Sequence, residues 1–246
     1  MFGIDLEPNR VEDRLEAVLV HNCTFGGNVG GGIMMGLHKL AGFGQPPVHN
    51  TSITIRGCTI DGTGPVVRAN GHQRTPGFGP VSQLGMLVSG GGYAANAAGQ
   101  ARLGATGCVI IEDVSVNNTL GQGLLVEGKP REGALQLTLD NVRFHATCHY
   151  DPGLRDRASK YLAPITITRA SGIVTGGIRF SRCVVEDDRN RSFFSTGTSA
   201  SHRNRGGLSD VQGSFVVTNP NSAGCTATLG NGTVDVSINV TECGKF

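Results

Sequence analysis

The sequence predicts an all-β chain wound as a right-handed parallel β-helix, with three strands per turn and about seven turns. Three observations carry this. A short phrase recurs along the chain, in which a strand of alternating apolar residues meets one residue suited to a left-handed backbone and continues as a second short alternating strand. The copies are Val18–Phe25, Ile53–Ile60, Val109–Val116, Leu137–Phe144 and Ile178–Val185, with weaker ones at Val211–Val217 and Val234–Cys243. A further apolar strand, usually opened by a small residue, accompanies each phrase. The composition has 38 glycines, no tryptophan and no sustained helical apolar period, which disfavours helical folds. Repeats of this kind bury their apolar faces by stacking on their neighbours, so the 246 residues are read as one domain, residues 1–246.

The bends come first in the argument. A sharp corner between two strands needs a residue at positive φ, which glycine adopts freely and Asn or Asp more readily than other residues. The expected corners are Asn22, Gly57, Asp113, Asn141, Arg182, Gly213 and Asn239. Arg182 alone is of an unfavourable type. The corners are unevenly spaced, from 26 residues between Gly213 and Asn239 to 56 between Gly57 and Asp113, so loops of unequal length leave a constant frame.

With a strand period of two, the first and third residues after each corner point inward. These are Cys23, Cys58, Val114, Val142, Cys183, Ser214 and Val240, followed by Phe25, Ile60, Val116, Phe144, Val185 and Val216. The accompanying strands are expected at Gly3–Glu7, Gly32–Gly36, Val67–Asn70, Gly123–Glu127, Pro164–Thr168, Ser192–Thr196 and Cys225–Leu229. A long insertion, about residues 71–107, then leaves the frame after Asn70, and Met86, Leu87 and Val88 within it have strand character. The last turn fits least well, with Asp235 and Glu242 where the core wants apolar groups. The first strand begins at Gly3 with no cap before it. An uncovered parallel edge exposes unpaired backbone groups, so the expectation is a chain truncated at its N-terminus, the alternative being another chain that covers the edge.

A net charge of +2 gives no argument for nucleic acid or an anionic membrane, and no segment is long and apolar enough to span a bilayer. No secretion signal is present in this chain. The sequence sets no oligomeric state. Of the seven cysteines, Cys23, Cys58 and Cys183 are expected as buried thiols in the inward ladder, not as metal ligands. Cys148, Cys225 and Cys243 are disulfide candidates, with a Cys225–Cys243 bridge closing the last turns. Six glycosylation sequons begin at Asn22, Asn50, Asn117, Asn190, Asn231 and Asn239, of which Asn22 and Asn239 are also corner residues.

The segment Gly3-Ile4-Asp5-Leu6-Glu7-Pro8-Asn9, followed by Asn22-Cys23-Thr24-Phe25 and Asn28, resembles a segment and the following turn of pectate-lyase-like right-handed β-helix proteins. The resemblance implies an extracellular or periplasmic protein acting on or binding polysaccharide along one wall. It names no reaction. The sequence patterns of polygalacturonases and alginate epimerases are absent, and Arg74-Thr75-Pro76 is too short to match the pectate-lyase arginine motif.

Alternation also nominates a site. Ile4 and Leu6 point inward, so Asp5 and Glu7 project outward roughly 7 Å apart. Paired carboxylates on a rigid wall suit acid and base roles in glycoside cleavage. No metal site is assigned and no cofactor is required, although Ca²⁺ is the ion that such carboxylates would accept. The catalytic candidates are Asp5, Glu7 and Arg68, the last as a planar fork for a sugar carboxylate. Substrate-binding candidates are His38, Asn70, His72 and Glu127. The outward column of Asp5 is expected to hold Met34, Arg68, Leu125, Thr166 and Phe194, and that of Glu7 to hold Gly36, Asn70, Glu127, Thr168 and Thr196. The loop 145–163, with His149, Tyr150 and several cations, would suit an anionic sugar or form a solvated helix. Two functions are expected in competition: a secreted lyase or glycoside hydrolase, and a noncatalytic glycan-binding or adhesin module.

Overall fold

The computed structural model of the chain describes residues 2–63, 66–67, 73–74, 84–90, 98, 100, 104–127, 135–148, 163–168, 177–187, 192–195, 211–219, 225, 227–228 and 236–244. Apart from one 3-10 turn, Leu37–Leu40, its regular structure among these residues is all β. Two large sheets of parallel strands face one another. The seven-stranded sheet runs in chain order through Phe2–Leu6, Gly31–Gly36, Leu84–Ser89, Leu124–Glu127, Ile165–Thr168, Phe194–Ser195 and Ala227–Thr228. The nine-stranded sheet runs in the same sense through Val18–His21, Thr51–Arg56, Gly107–Asn117, Leu135–His145, Ile178–Glu186, Val211–Thr218 and Val236–Gly244, with Thr24–Gly26 and Thr59–Asp61 completing its first two levels. Each repeat thus gives one strand to each sheet, in an order compatible with a parallel β-helix.

The corners explain why the nine-stranded sheet is bent. Asn22, Gly57, Asp113, Asn141 and Arg182 all have φ between 50° and 63°. They lie at one level after another, and their side chains interact along the column. Asn141 Nδ2 donates to Asp113 Oδ1 across 2.6 Å. A second left-handed column, not anticipated from sequence, closes the same strands at Gly27, Gly62, Asn118 and Ala146. Its amides donate to the carbonyls of the next level, as Gly62 N does to Asn117 O and Asn118 N to His145 O. Asn118 Nδ2 also donates to Asp61 Oδ1 across 2.8 Å.

Gly213 does not act as a corner. Phe180 pairs with Gly213 and Cys183 with Phe215, so Ser181 and Arg182 together face the single residue Ser214. One residue shorter here, the strand Val211–Thr218 passes the bend without a left-handed residue and its alternation shifts. Phe215 and Val217 are buried, whereas Ser214 is exposed and Val216 only half-buried, which reverses the inward placement of Ser214 and Val216 expected from sequence. Gly213 faces inward instead. A Cβ there would meet Phe180 Cβ at 2.7 Å, so the glycine makes room for a cluster of Phe180, Phe193, Phe194 and Phe215, whose rings lie 5.0–6.3 Å apart.

The core is a set of stacked columns. Ile33, Met86, Leu124, Ile165 and Phe194 line the seven-stranded sheet, and Ile55, Ile111, Leu139 and Phe180 face them from the other. Ile60, Val116, Phe144 and Val185 continue beyond the corner. Burying each such side chain contributes roughly 1.5–3 kcal/mol. Gly3, Gly32, Gly85 and Gly123 stand at the head of successive strands opposite this last column, and a Cβ at each would collide with Phe25, Ile60, Val116 or Phe144 respectively. The third strand of the seven-stranded sheet is Leu84–Ser89 and not Val67–Asn70. Val66–Val67 instead pairs antiparallel with Gln73–Arg74 in a separate small sheet. Met86, Leu87 and Val88 therefore belong to the wall itself.

Cys58 and Cys183 are buried free thiols in the inward ladder, as expected, whereas Cys23, also a free thiol, is only half-buried. Cys148 is also free and buried, which removes it as a disulfide candidate: its amide is bonded to Gly121 O and the residue packs inside the turn after Ala146. Cys225 is disulfide-bonded. The side chain of Cys243, its expected partner, lies outside the described residues.

Candidate functional site

Every residue of Gly3–Asn9 has a structural reason to be where it is. Gly3 admits the Phe25 ring, Ile4 and Leu6 pack on the core, and Pro8 is buried. Asp5 and Glu7 are left on the outer face. Asn9 and Arg10 donate their amides to Asp13 Oδ2 at 2.7 and 2.9 Å, which fixes the turn that follows the strand and holds the Asp13 carboxyl below its ordinary range.

The two carboxyls sit in different environments. Glu7 Oε1 pairs with Lys39 Nζ at 3.1 Å, and the same ammonium reaches Asn9 Oδ1 at 3.4 Å. Gly36 lies beneath Glu7, since a Cβ there would stand 3.1 Å from Glu7 Cγ, so the glycine gives the glutamate room to lie along the wall toward Lys39. Asp5 has a raised pKa, first from partial burial and then from the negative charge of Glu7, with Lys39 opposing both. Lys39 was not found from sequence. Its signal was its place in Leu37-His38-Lys39-Leu40, where the two leucines are buried and the residues between them are half-buried. His38, half-buried beside Lys39 on this 3-10 turn, is thereby brought to the same end of the wall.

Glu127 does not join this cluster. Glu127 follows Gly36 and Ser89 in the Glu7 column, three strand spacings from Glu7. At about 4.8 Å per spacing this is roughly 14 Å. Arg68, Asn70 and His72 lie outside the described residues, and the strand Leu84–Ser89 takes the wall position that sequence had given to Arg68 and Asn70. The Asp5 column therefore reads Asp5, Met34, Leu87, Leu125, Thr166 and Ser195. Phe194, expected in it, points into the core as the partner of Ile165. Two adjacent phenylalanines, Phe193 and Phe194, hid the alternation there.

This outer column is not an open wall. Leu87, Leu125, Thr166 and Ser195 are only 6%, 3%, 0% and 6% exposed, and Leu84, Leu87 and Leu125 form an apolar cluster of their own with Met34 against it. At the first level of the wall Asp5 is exposed and Glu7 and Lys39 are partly exposed. Among the described residues no group of three His, Cys, Asp or Glu side chains is arranged to hold a metal ion. None of the described helices is long and apolar enough to cross a membrane.

Comparison of the chain with protein families, with curated proteins and with solved structures finds no match. The parallel sheets are compatible with a parallel β-helix.

Proposed function

We propose that the chain is a right-handed parallel β-helix of three strands per turn and about seven turns that acts on polysaccharide outside the cell, at the end of the wall formed by Asp5, Glu7 and Lys39. The observation that carries this reading is the different environment of two carboxyls, Asp5 on the first strand and Glu7 just beyond its end. Asp5 has a pKa raised by partial burial and by the charge of Glu7, while Glu7 is ion-paired with Lys39. A carboxyl of raised proton affinity beside a second carboxyl is suited to the acid role in such a pair. Asp5 would protonate the glycosidic oxygen, and Glu7 would activate water. The disulfide at Cys225 supports an oxidising compartment. No step calls for a metal ion.

A noncatalytic glycan-binding module is the second reading. It is favoured by the burial of Leu87, Leu125, Thr166 and Ser195 in the column that Asp5 opens. Release of reducing ends, and of unsaturated uronates, from a panel of neutral and acidic polysaccharides separates the two. The hydrolase reading expects reducing ends that vanish in Asp5→Asn and Glu7→Gln, with no unsaturated product. Binding of a glycan without turnover would replace it with the module, and unsaturated product would replace hydrolysis with elimination.

A further inference from the structure

The first two corners place two thiols one above the other. Cys23 follows Asn22, and Cys58 follows Gly57. The residues after them pair in register, Thr24 with Thr59, and the Thr59 amide donates to the Cys23 carbonyl across 2.9 Å. Equivalent Cα atoms on neighbouring parallel strands lie about 4.8 Å apart, within the roughly 4.4–6.8 Å that a disulfide spans. Both side chains leave the same face of the sheet. Burial raises the Cys58 thiol above its ordinary pKa, and interaction with the Cys23 side chain adds to the rise, so the two sulfurs are close enough to sense one another. Cys23 is half-exposed where Cys58 is buried. Cys183 sits in the same column but is separated from Cys58 by Val114 and Val142, and is an internal control.

We propose that Cys23 and Cys58 form an oxidisable dithiol that closes into a disulfide between adjacent levels of the nine-stranded sheet. The oxidant is a low-molecular-weight disulfide. The Cys23 thiolate attacks one of its sulfurs and releases the first small thiolate, leaving a mixed disulfide. Cys58 then loses its proton and attacks Cys23 Sγ, which expels the second small thiolate. The two protein thiols give up two electrons and two protons, and the small disulfide becomes two thiols. The bridge would staple the sheet at a level where Val18, Cys23 and Phe25 are only partly buried.

The test is to incubate the folded protein with oxidised glutathione, quench in acid, alkylate, and map peptides without reduction. The expected result is a linked peptide pair containing Cys23 and Cys58, loss of two of the five described free thiols to that link, alkylated Cys183, and a Tm several degrees above that of the alkylated, unoxidised protein. Cys58→Ser should stop at a glutathione adduct on Cys23. Cys23→Ser should leave Cys58 alkylated. Recovery of both cysteines alkylated, a glutathione adduct at Cys23 that persists in the wild-type chain, or a link from either cysteine to another partner would overturn the proposal. Should Cys58→Ser fail to fold, the wild-type map and Cys23→Ser still decide it.

Discussion

Asn141 and Asp113 lie on adjacent levels at the same corner, both with φ near 54°, and the amide of one donates to the carboxylate of the other across 2.6 Å. Asn141 therefore serves the backbone and the column together. Asn141→Ala loses both contributions, a left-handed penalty of roughly 1–2 kcal/mol and a hydrogen bond of about 1 kcal/mol. Asn141→Gly loses only the second. Urea unfolding should place alanine about 2–3 kcal/mol below the parent and glycine about 1 kcal/mol below. Equal losses would mean that the backbone at this corner is not under strain.

Gly85 faces Val116 and the carbonyl of Gly123 at distances that leave no room for a Cβ. Gly85→Ala should cost about 3 kcal/mol through overpacking. Adding Val116→Ala should recover part of this and not add to it, because the second substitution removes one of the two atoms in conflict. A strictly additive double variant, in the same unfolding measurement, would place the strain elsewhere.

The glycines also explain which parts of the fold the sequence discloses. Corners at Asn22, Gly57, Asp113 and Asn141 are legible because few residue types accept that backbone, and period-two burial follows directly from them. Leu84–Ser89 was misplaced because Val67–Asn70 comes sooner after the preceding corner and looks equally strand-like. Gly85-Met86-Leu87-Val88 repeats the form of Gly32-Ile33-Met34-Met35, whereas Val67 has no glycine at its head, and that contrast was the available signal. Gly213 misled in the opposite way. A glycine that makes space for Phe180 and Phe215 looks identical, in sequence, to one that turns a corner. At the candidate site, Asp5 and Glu7 were legible from alternation alone. Lys39 was not, since its contact with Glu7 depends on where a short 3-10 turn carries it, and no periodicity encodes that.

Arg182 occupies its corner with φ 50° and offsets this with a forked contact to Asp140, Nε lying 2.9 Å from Oδ1. That contact is the largest cause holding the Asp140 carboxyl below its ordinary range. A lowered folded pKa contributes stability above the unfolded carboxylate value, about 3.9, which is lost as the pH falls through the folded value. Arg182→Gly relieves the backbone and removes the contact. Its Tm should match or exceed the parent in high salt, where the exposed pair is screened. Its loss of Tm on acidification should be shallower. A variant less stable than the parent at every salt concentration would show that the guanidinium has a role beyond the ion pair.

Asp5 gives the opposite sign. Its folded pKa is raised, so the folded chain holds this proton more tightly than the unfolded chain, and stability is lost as the pH rises from the unfolded value through the folded one. Asp5→Asn should therefore be more stable than the parent at neutral pH and no different well below the unfolded value. The gain should be about 0.5 kcal/mol or less, because the exposed carboxyl is largely screened by water. Lys39→Met should raise the Asp5 pKa further, since the ammonium opposes both the burial and the charge of Glu7. Carboxyl-carbon NMR titration of Asp5 in the two chains reads this directly. An Asp5 titration that is unmoved by Lys39→Met would mean that the two carboxyls and the ammonium are not electrostatically coupled, and the division of acid and base roles between Asp5 and Glu7 would lose its physical basis.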